Sequence, residues 1–100
     1  MEIEIASTKD VLKGEMIGVK KNGKPLLIAN LDGNYYAIGN KCTHMGCKLS
    51  KGTLTGDTVQ CPCHGSVFNV KTGEVKKGPA KRPEHSYSLR VDGEKILADL

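Results

Sequence analysis

Apolar and polar residues alternate over short runs along most of this chain, and the runs are broken at intervals by glycine next to Asn or Asp. Glu2-Ile3-Glu4-Ile5 alternates with the period of two that puts successive side chains on opposite faces of a strand. Met16 to Lys21 and Leu26 to Leu31 are two further runs, separated by Asn22-Gly23. That dipeptide is a strong hairpin signal, because both central residues of a type I′ turn need positive φ. Asp32-Gly33 repeats the signal before Tyr35-Tyr36-Ala37-Ile38. Thr53 to Cys61 reads as a hairpin about Gly56-Asp57, Val67 to Val70 and Glu74-Val75 flank Thr72-Gly73, and Tyr87 to Asp99 reads as a hairpin about Asp92-Gly93. Nine or ten short strands with evenly spaced turns predict an all-β, antiparallel fold, a sandwich or small barrel. Ser7 to Gly14 is the one stretch expected to make a helical turn. No domain-sized repeat, low-complexity tract or linker interrupts the pattern, so residues 1–100 are expected to form a single domain.

Two stretches, Asn40–Leu49 and Gln60–Ser66, break the alternation and read as loops projecting from strand ends. Composition makes them more interesting. With 38% hydrophobic residues, one Phe and no Trp, the core is modest, and a metal or cross-link would help it. The loops contain all four cysteines and two of the three histidines. The net charge of +4 comes from lysines spread along the chain, which reads as a solvated surface with no nucleic-acid stripe. No apolar run reaches membrane-spanning length and the N-terminus has no signal-peptide pattern, so a cytoplasmic, soluble chain with no membrane span is expected. In that setting four cysteines point to metal or redox chemistry before a disulfide framework.

The loops read Cys42-Thr-His44-Met-Gly46-Cys47 and Cys61-Pro-Cys63-His64-Gly65-Ser66. Each pairs a Cys with a His and follows that His with a nearby glycine, and Cys47 and Cys63 stand in what read as matching places. Sixteen residues separate His44 from Cys61, enough for a hairpin that brings the loops together. One thiolate and one imidazole from each loop suit either a tetrahedral zinc or a [2Fe–2S] cluster with Cys on one iron and His on the other. Usual zinc designs place Cys-x2–4-Cys against His-x3–5-His, whereas Cys and His alternate here within each loop.

C-x-H…C-x-x-H resembles the signature of the Rieske iron–sulfur family, and the resemblance extends from Cys42 through CPCHGSVFNVKTGEVKKGPA to Ala80. It implies a Rieske fold whose cluster-binding subdomain, about residues 41–80, is made of two loops on a base of flanking strands. It implies that Cys42 and Cys61 ligate the inner iron, His44 and His64 the outer iron, and that Gly78-Pro79-Ala80 covers the cluster. Neutral imidazoles in place of two thiolates make such centres easier to reduce: their potentials span about −150 to +300 mV, against about −400 mV for all-cysteine plant-type ferredoxins. A metal-bound imidazole can lose its remaining N–H proton, so electron and proton affinities are coupled. The resemblance to quinol-oxidoreductase Rieske subunits implies a Cys47–Cys63 disulfide, against the alternative of two reduced thiols. It also gives Ser66 a hydroxyl bond to a bridging sulfide. Where high-potential relatives carry a tyrosine bonded to a ligating sulfur, this chain has Phe68, which implies an intermediate potential.

The implied function is a monomeric one-electron carrier of the ferredoxin kind, an electron-transfer protein with no catalytic residues of its own. Its partners would be a reductase as donor and a terminal acceptor. The alternative is an electron-transfer or regulatory subunit of a larger oxygenase or reductase complex. His85 is read as a surface or strand residue, Tyr35, Tyr36 and Tyr87 as sheet and core residues, and the glutamates as turn or surface residues. Lys41, Lys48 and Lys51 are read either as a bias towards an acidic partner or as a solvated rim.

Overall fold

Both predicted two-residue turns adopt the left-handed backbone they require: φ is 51° and 74° at Asn22-Gly23, and 56° and 92° at Asp32-Gly33. The computed structural model describes residues 2–43, 46–63 and 65–100. The two turns join β2 (Met16–Lys21), β3 (Lys24–Leu31) and β4 (Asn34–Gly39), whose far edge pairs with β9 (Ser86–Tyr87) in the order β2-β3-β4-β9. A second sheet combines β1 (Glu2–Ser7), β11 (Lys95–Asp99) and β10 (Leu89–Asp92), with β11 in the middle. The third runs β5 (Thr53–Thr55), β6 (Thr58–Gln60), β7 (Val67–Asn69) and β8 (Val75–Lys77) in sequence order. Every pairing among these strands is antiparallel.

The β2-β3-β4-β9 sheet is a shared wall between two cores. On β3, Leu26 and Ile28 face one way and join Ile5, Val11, Ala37, Ile96 and Ala98. Leu27 and Ala29 face the other way and join Ile38, Leu49, Val59, Phe68 and Val70, together with Cys42 and Cys61. Alternation along one strand thus serves two hydrophobic clusters, which is why both faces of β3 are apolar. Asn30, buried at the end of this run, is satisfied at both ends: its amide donates to the Val11 carbonyl at 2.9 Å and its oxygen accepts from Gly33 N–H at 2.8 Å.

Some expectations need correction. There are eleven strands among the described residues, against nine or ten expected. Tyr87 belongs to no tail hairpin; it pairs with Ala37 on β4, and the hairpin runs from Leu89 to Asp99 with its turn one residue later, at Gly93-Glu94. The expected helical turn is present at Thr8–Asp10, capped by Ser7 and Asp10 in a reciprocal box, but a second 3-10 turn lies at Leu49–Lys51 where the first loop ends. The tyrosines are half-buried: Tyr35 and Tyr87 pack against the β1/β10/β11 core, and Tyr36 lies 5.7 Å beneath the Lys71 ammonium. His85 is exposed, with its ring edge-on to Tyr87 at 4.5 Å.

Candidate metal centre

The two cysteine loops share one backbone plan. In the first, Cys42 N–H donates to the Cys47 carbonyl and Gly46 N–H to the Cys42 carbonyl, both at 2.8 Å. In the second, Cys61 N–H donates to the Ser66 carbonyl at 2.7 Å and Gly65 N–H to the Cys61 carbonyl at 3.2 Å. Gly46 and Gly65 have nearly the same left-handed φ, 77° and 79°. That conformation strains any residue with a side chain, which explains a glycine at the fifth place of each loop. The pattern corrects one expectation: counted from its first cysteine, Cys47 matches Ser66, and Cys63 occupies the place that His44 holds in the first loop.

Each loop is anchored at its neck. Lys41 and Lys48 form an isolated antiparallel bridge across the first. Asn40 beneath them accepts from Ser50 N–H at 2.7 Å and donates to Ser50 Oγ at 2.9 Å, and its own N–H reaches the Pro25 carbonyl on β3. The second loop is the β6–β7 connection, closed by the Gln60–Val67 pair.

Cys42 and Cys61, one at the start of each loop, are free thiols only 3% and 2% exposed. Cys47 and Cys63 are joined in a disulfide with their Cα atoms 6.5 Å apart, so the expected pairing is present. The sulfurs of Cys47, Cys61 and Cys63 lie within 4.8 Å of one another. Two of those three are consumed by the bond, so the trio offers one thiolate and cannot act as a three-cysteine metal cup. His44 and His64 lie outside the described residues.

The segment after β8 touches both loops. Ala80 N–H donates to Ser66 Oγ at 3.0 Å, and Thr43 Oγ1 donates to the Arg82 carbonyl at 2.7 Å. Ser66 is fully buried, and because its oxygen accepts from Ala80, the hydroxyl proton is free to serve another acceptor. Two residues beyond Arg82 comes a glutamate expected in a turn or on the surface. Glu84 is 8% exposed, and the Thr43 backbone of the first loop lies close enough to its carboxylate to favour the charged form. Its Oε2 is buried with no hydrogen-bond partner among the described residues. Burial raises its pKa to about 7, with the Thr43 backbone pulling the other way. The space that admits it comes from two glycines: a Cβ on Gly39 would sit 2.6 Å from Glu84 Oε1, and one on Gly73 would overlap the Glu84 carbonyl. No sequence periodicity marks such a position.

Two buried thiols presented by twin loops, with a buried hydroxyl alongside, are a donor set that a sulfur-ligated cluster fits. Residues 1–91 match the Rieske [2Fe-2S] domain family. The chain belongs to that family. The ferredoxin component of biphenyl 2,3-dioxygenase from Rhodococcus jostii (strain RHA1) is 34% identical over 97 residues, covering 97% of this chain and 91% of the relative. Among solved structures, the Sphingomonas yanoikuyae B1 ferredoxin superimposes with a TM-score of 0.94 at 27% identity, covering 100% and 99% of the two chains. A chain in the complex of reduced oxygenase and oxidized ferredoxin of carbazole 1,9a-dioxygenase superimposes with a TM-score of 0.90 at 31% identity, covering 97% and 91%. The Rieske fold expected from the loops is therefore the fold observed, and family membership implies a Rieske-type [2Fe–2S] cluster. No helix among the described residues is long and apolar enough to cross a membrane.

Proposed function

We propose that this Rieske protein is a ferredoxin component, a one-electron carrier between a reductase and a terminal oxygenase, and itself no enzyme. One relative named above is the ferredoxin component of a dioxygenase, and another is a ferredoxin in complex with an oxygenase. The observation that carries the reading is the pair of buried free thiols, Cys42 and Cys61, held at equivalent points of twin loops. In this reading they ligate the inner iron, and His44 and His64 ligate the outer iron.

Bound between the loops, a [2Fe–2S] cluster supplies reversible uptake of one electron. The chain does the rest. Ser66 turns its free hydroxyl proton towards the added negative charge, held in that orientation by Ala80 N–H at its oxygen. The Cys47–Cys63 bridge fixes the loops relative to one another, so little reorganisation accompanies a change of charge. The imidazole N–H groups of His44 and His64 hold the protons whose affinity rises with that charge. The reading takes residues 1–100 as a single, monomeric and cytoplasmic domain with the cluster-binding part over 41–80.

Anaerobically purified protein should be red-brown and give an anisotropic EPR signal after dithionite reduction. Cys42→Ser and Cys61→Ser should each abolish it. A colourless protein holding zinc would overturn the assignment.

A further inference from the structure

Lysines that are scattered in sequence gather at one end of the fold. Between Met16 and Gly56 the only acidic residue is Asp32, against six lysines at positions 20, 21, 24, 41, 48 and 51. Asp32 follows the far end of β3, a strand that spans about 23 Å from Lys24 to Leu31 at strand rise. The antiparallel β2-β3-β4 course puts Lys20, Lys21 and Lys24 at the same end as the chain's exit into Asn40 and Lys41. There a cleft of about 680 Å³ opens between the β2–β3 turn and the neck of the first cysteine loop. Lys20, Lys41, Lys48 and Lys51 line it, Asn40 and Ser50 are among its other lining residues, and no carboxylate does.

A second region has the opposite sign, and its Glu4 and Asp10 border Lys20 and Lys21. Residues 2–10 and 89–99, which contain the β1-β11-β10 sheet, hold six carboxylates (Glu2, Glu4, Asp10, Asp92, Glu94, Asp99) against Lys9, Arg90 and Lys95. Among them, Glu2 is engaged with Arg90, Glu94 with Lys9, and Asp10 with Ser7 N–H. None of the four cleft lysines has an ion pair among the described residues. Four lysines without an ion pair among the described residues thus gather beside the neck of the loop that bears Cys42.

We infer that this lysine-lined cleft is the docking face for an acidic redox partner, seated against the neck of the first cysteine loop. The inference rests on the carrier reading and adds the charge and location of the contact. A field of one sign over a cleft raises encounter rates and orients the partner, and salt screens it over about 8 to 10 Å.

Hexacyanochromate(III), a redox-inert paramagnetic trianion, is the direct probe. Titrated into the oxidised protein, it should broaden the amide resonances of Lys20, Lys21, Lys24 and Lys51 before those of β1, β10 and β11, and salt should reverse the effect. A rate measurement complements it. One electron passes from the dithionite-reduced protein to hexacyanoferrate(III), giving hexacyanoferrate(II). Lys41→Gln, Lys48→Gln and Lys51→Gln combined should slow that oxidation about tenfold or more at low ionic strength. Lys9→Gln, Lys13→Gln and Lys95→Gln combined, with the same change in net charge, should change it less than twofold. The cationic oxidant tris(phenanthroline)cobalt(III) should not be slowed by either set. Uniform broadening, or equal slowing by both sets, overturns the docking face while leaving an intact iron–sulfur spectrum and the carrier reading in place. A protein with no reducible iron–sulfur spectrum overturns both.

Discussion

The two cores on either side of the β2-β3-β4-β9 sheet are built by different means. The buried members of the one beneath β1, β10 and β11 are all aliphatic, with Ile5, Val11, Leu26, Ile28 and Ile96 fully or almost fully buried and Tyr35 and Tyr87 packed at its edge. It is closed by long strand ladders, six residues in β1 against five in β11. The other core holds Phe68 but is walled by three-residue strands, and two of its members are the free thiols Cys42 and Cys61. Strands that short make few ladder bonds and bury little, so this half depends on cross-links: a disulfide, side-chain bonds to backbone and the cluster itself. The first half folds by burial; the second is held by chemistry, and each can be challenged separately.

The largest effect should come from the ligand thiols. Cys61→Ser should cost the β5–β8 sheet its amide-exchange protection while β1, β10 and β11 keep theirs; loss of both together would mean that the two halves are one cooperative unit. Next is truncation within the cores. Phe68→Ala should destabilise by about 3–5 kcal/mol and bleach the cluster absorbance, whereas Ile28→Ala should cost about 2–5 kcal/mol and leave the EPR line shape unchanged. Chemical denaturation followed at visible and far-ultraviolet wavelengths distinguishes them.

Glu84 gives a pH-dependent test. Its pKa of about 7 in the folded protein exceeds the ordinary 4.5, so the folded state binds more protons between those values. Stability is fully present below pH 4.5 and declines as pH rises through 7, by up to about 3 kcal/mol. Tyr87, whose own pKa is raised by burial and by this carboxylate, ionises well above that window. Glu84→Gln should flatten the decline and melt higher than the parent at pH 8; an unchanged pH profile would place the carboxylate in water. The disulfide ranks slightly lower. For a loop of 16 residues its removal, with Cys47→Ser and Cys63→Ser combined, should cost at most about 3 kcal/mol in the cluster-free chain and less in the loaded one. Smallest in energy is Phe68→Tyr, expected to raise the reduction potential by placing a hydroxyl near a ligating sulfur; protein-film voltammetry would show no change if the packed site turns the hydroxyl away.

The hairpins were legible in the sequence because their turns need φ values that only a few residues accept, and Asn22-Gly23 and Asp32-Gly33 advertise them. The loops were legible because thiol and imidazole are rare and were concentrated there. What escaped has a common physical cause, long-range contact. Ser86–Tyr87 is a strand only because β4 offers an edge, and the 3-10 turn at Leu49–Lys51 sits against Asn40 and Ser50 contacts that no local propensity encodes. The likeness of Cys47 to Ser66 was hidden because residue type suggested pairing the cysteines, whereas backbone hydrogen bonds pair the positions. Glu84 looked like an ordinary surface glutamate, since nothing nearby in sequence shows that Gly39 and Gly73 leave room for it.

Serving two cores has a consequence for β3 before the protein is folded. Leu26-Leu27-Ile28-Ala29 is uncharged, strongly apolar and without a polar face, since both sides are claimed in the native state. In a nascent or denatured chain that makes it the segment most prone to self-association. Lys24 and Pro25 stand immediately before it and Asp32 shortly after, where charge and a missing N–H discourage stacking of one copy on another. Replacing Lys24 and Pro25 by Thr and Val should leave the folded hairpin intact yet lower the refolding yield as protein concentration rises. The strand that divides the molecule is also the one its neighbours must keep from meeting its own kind.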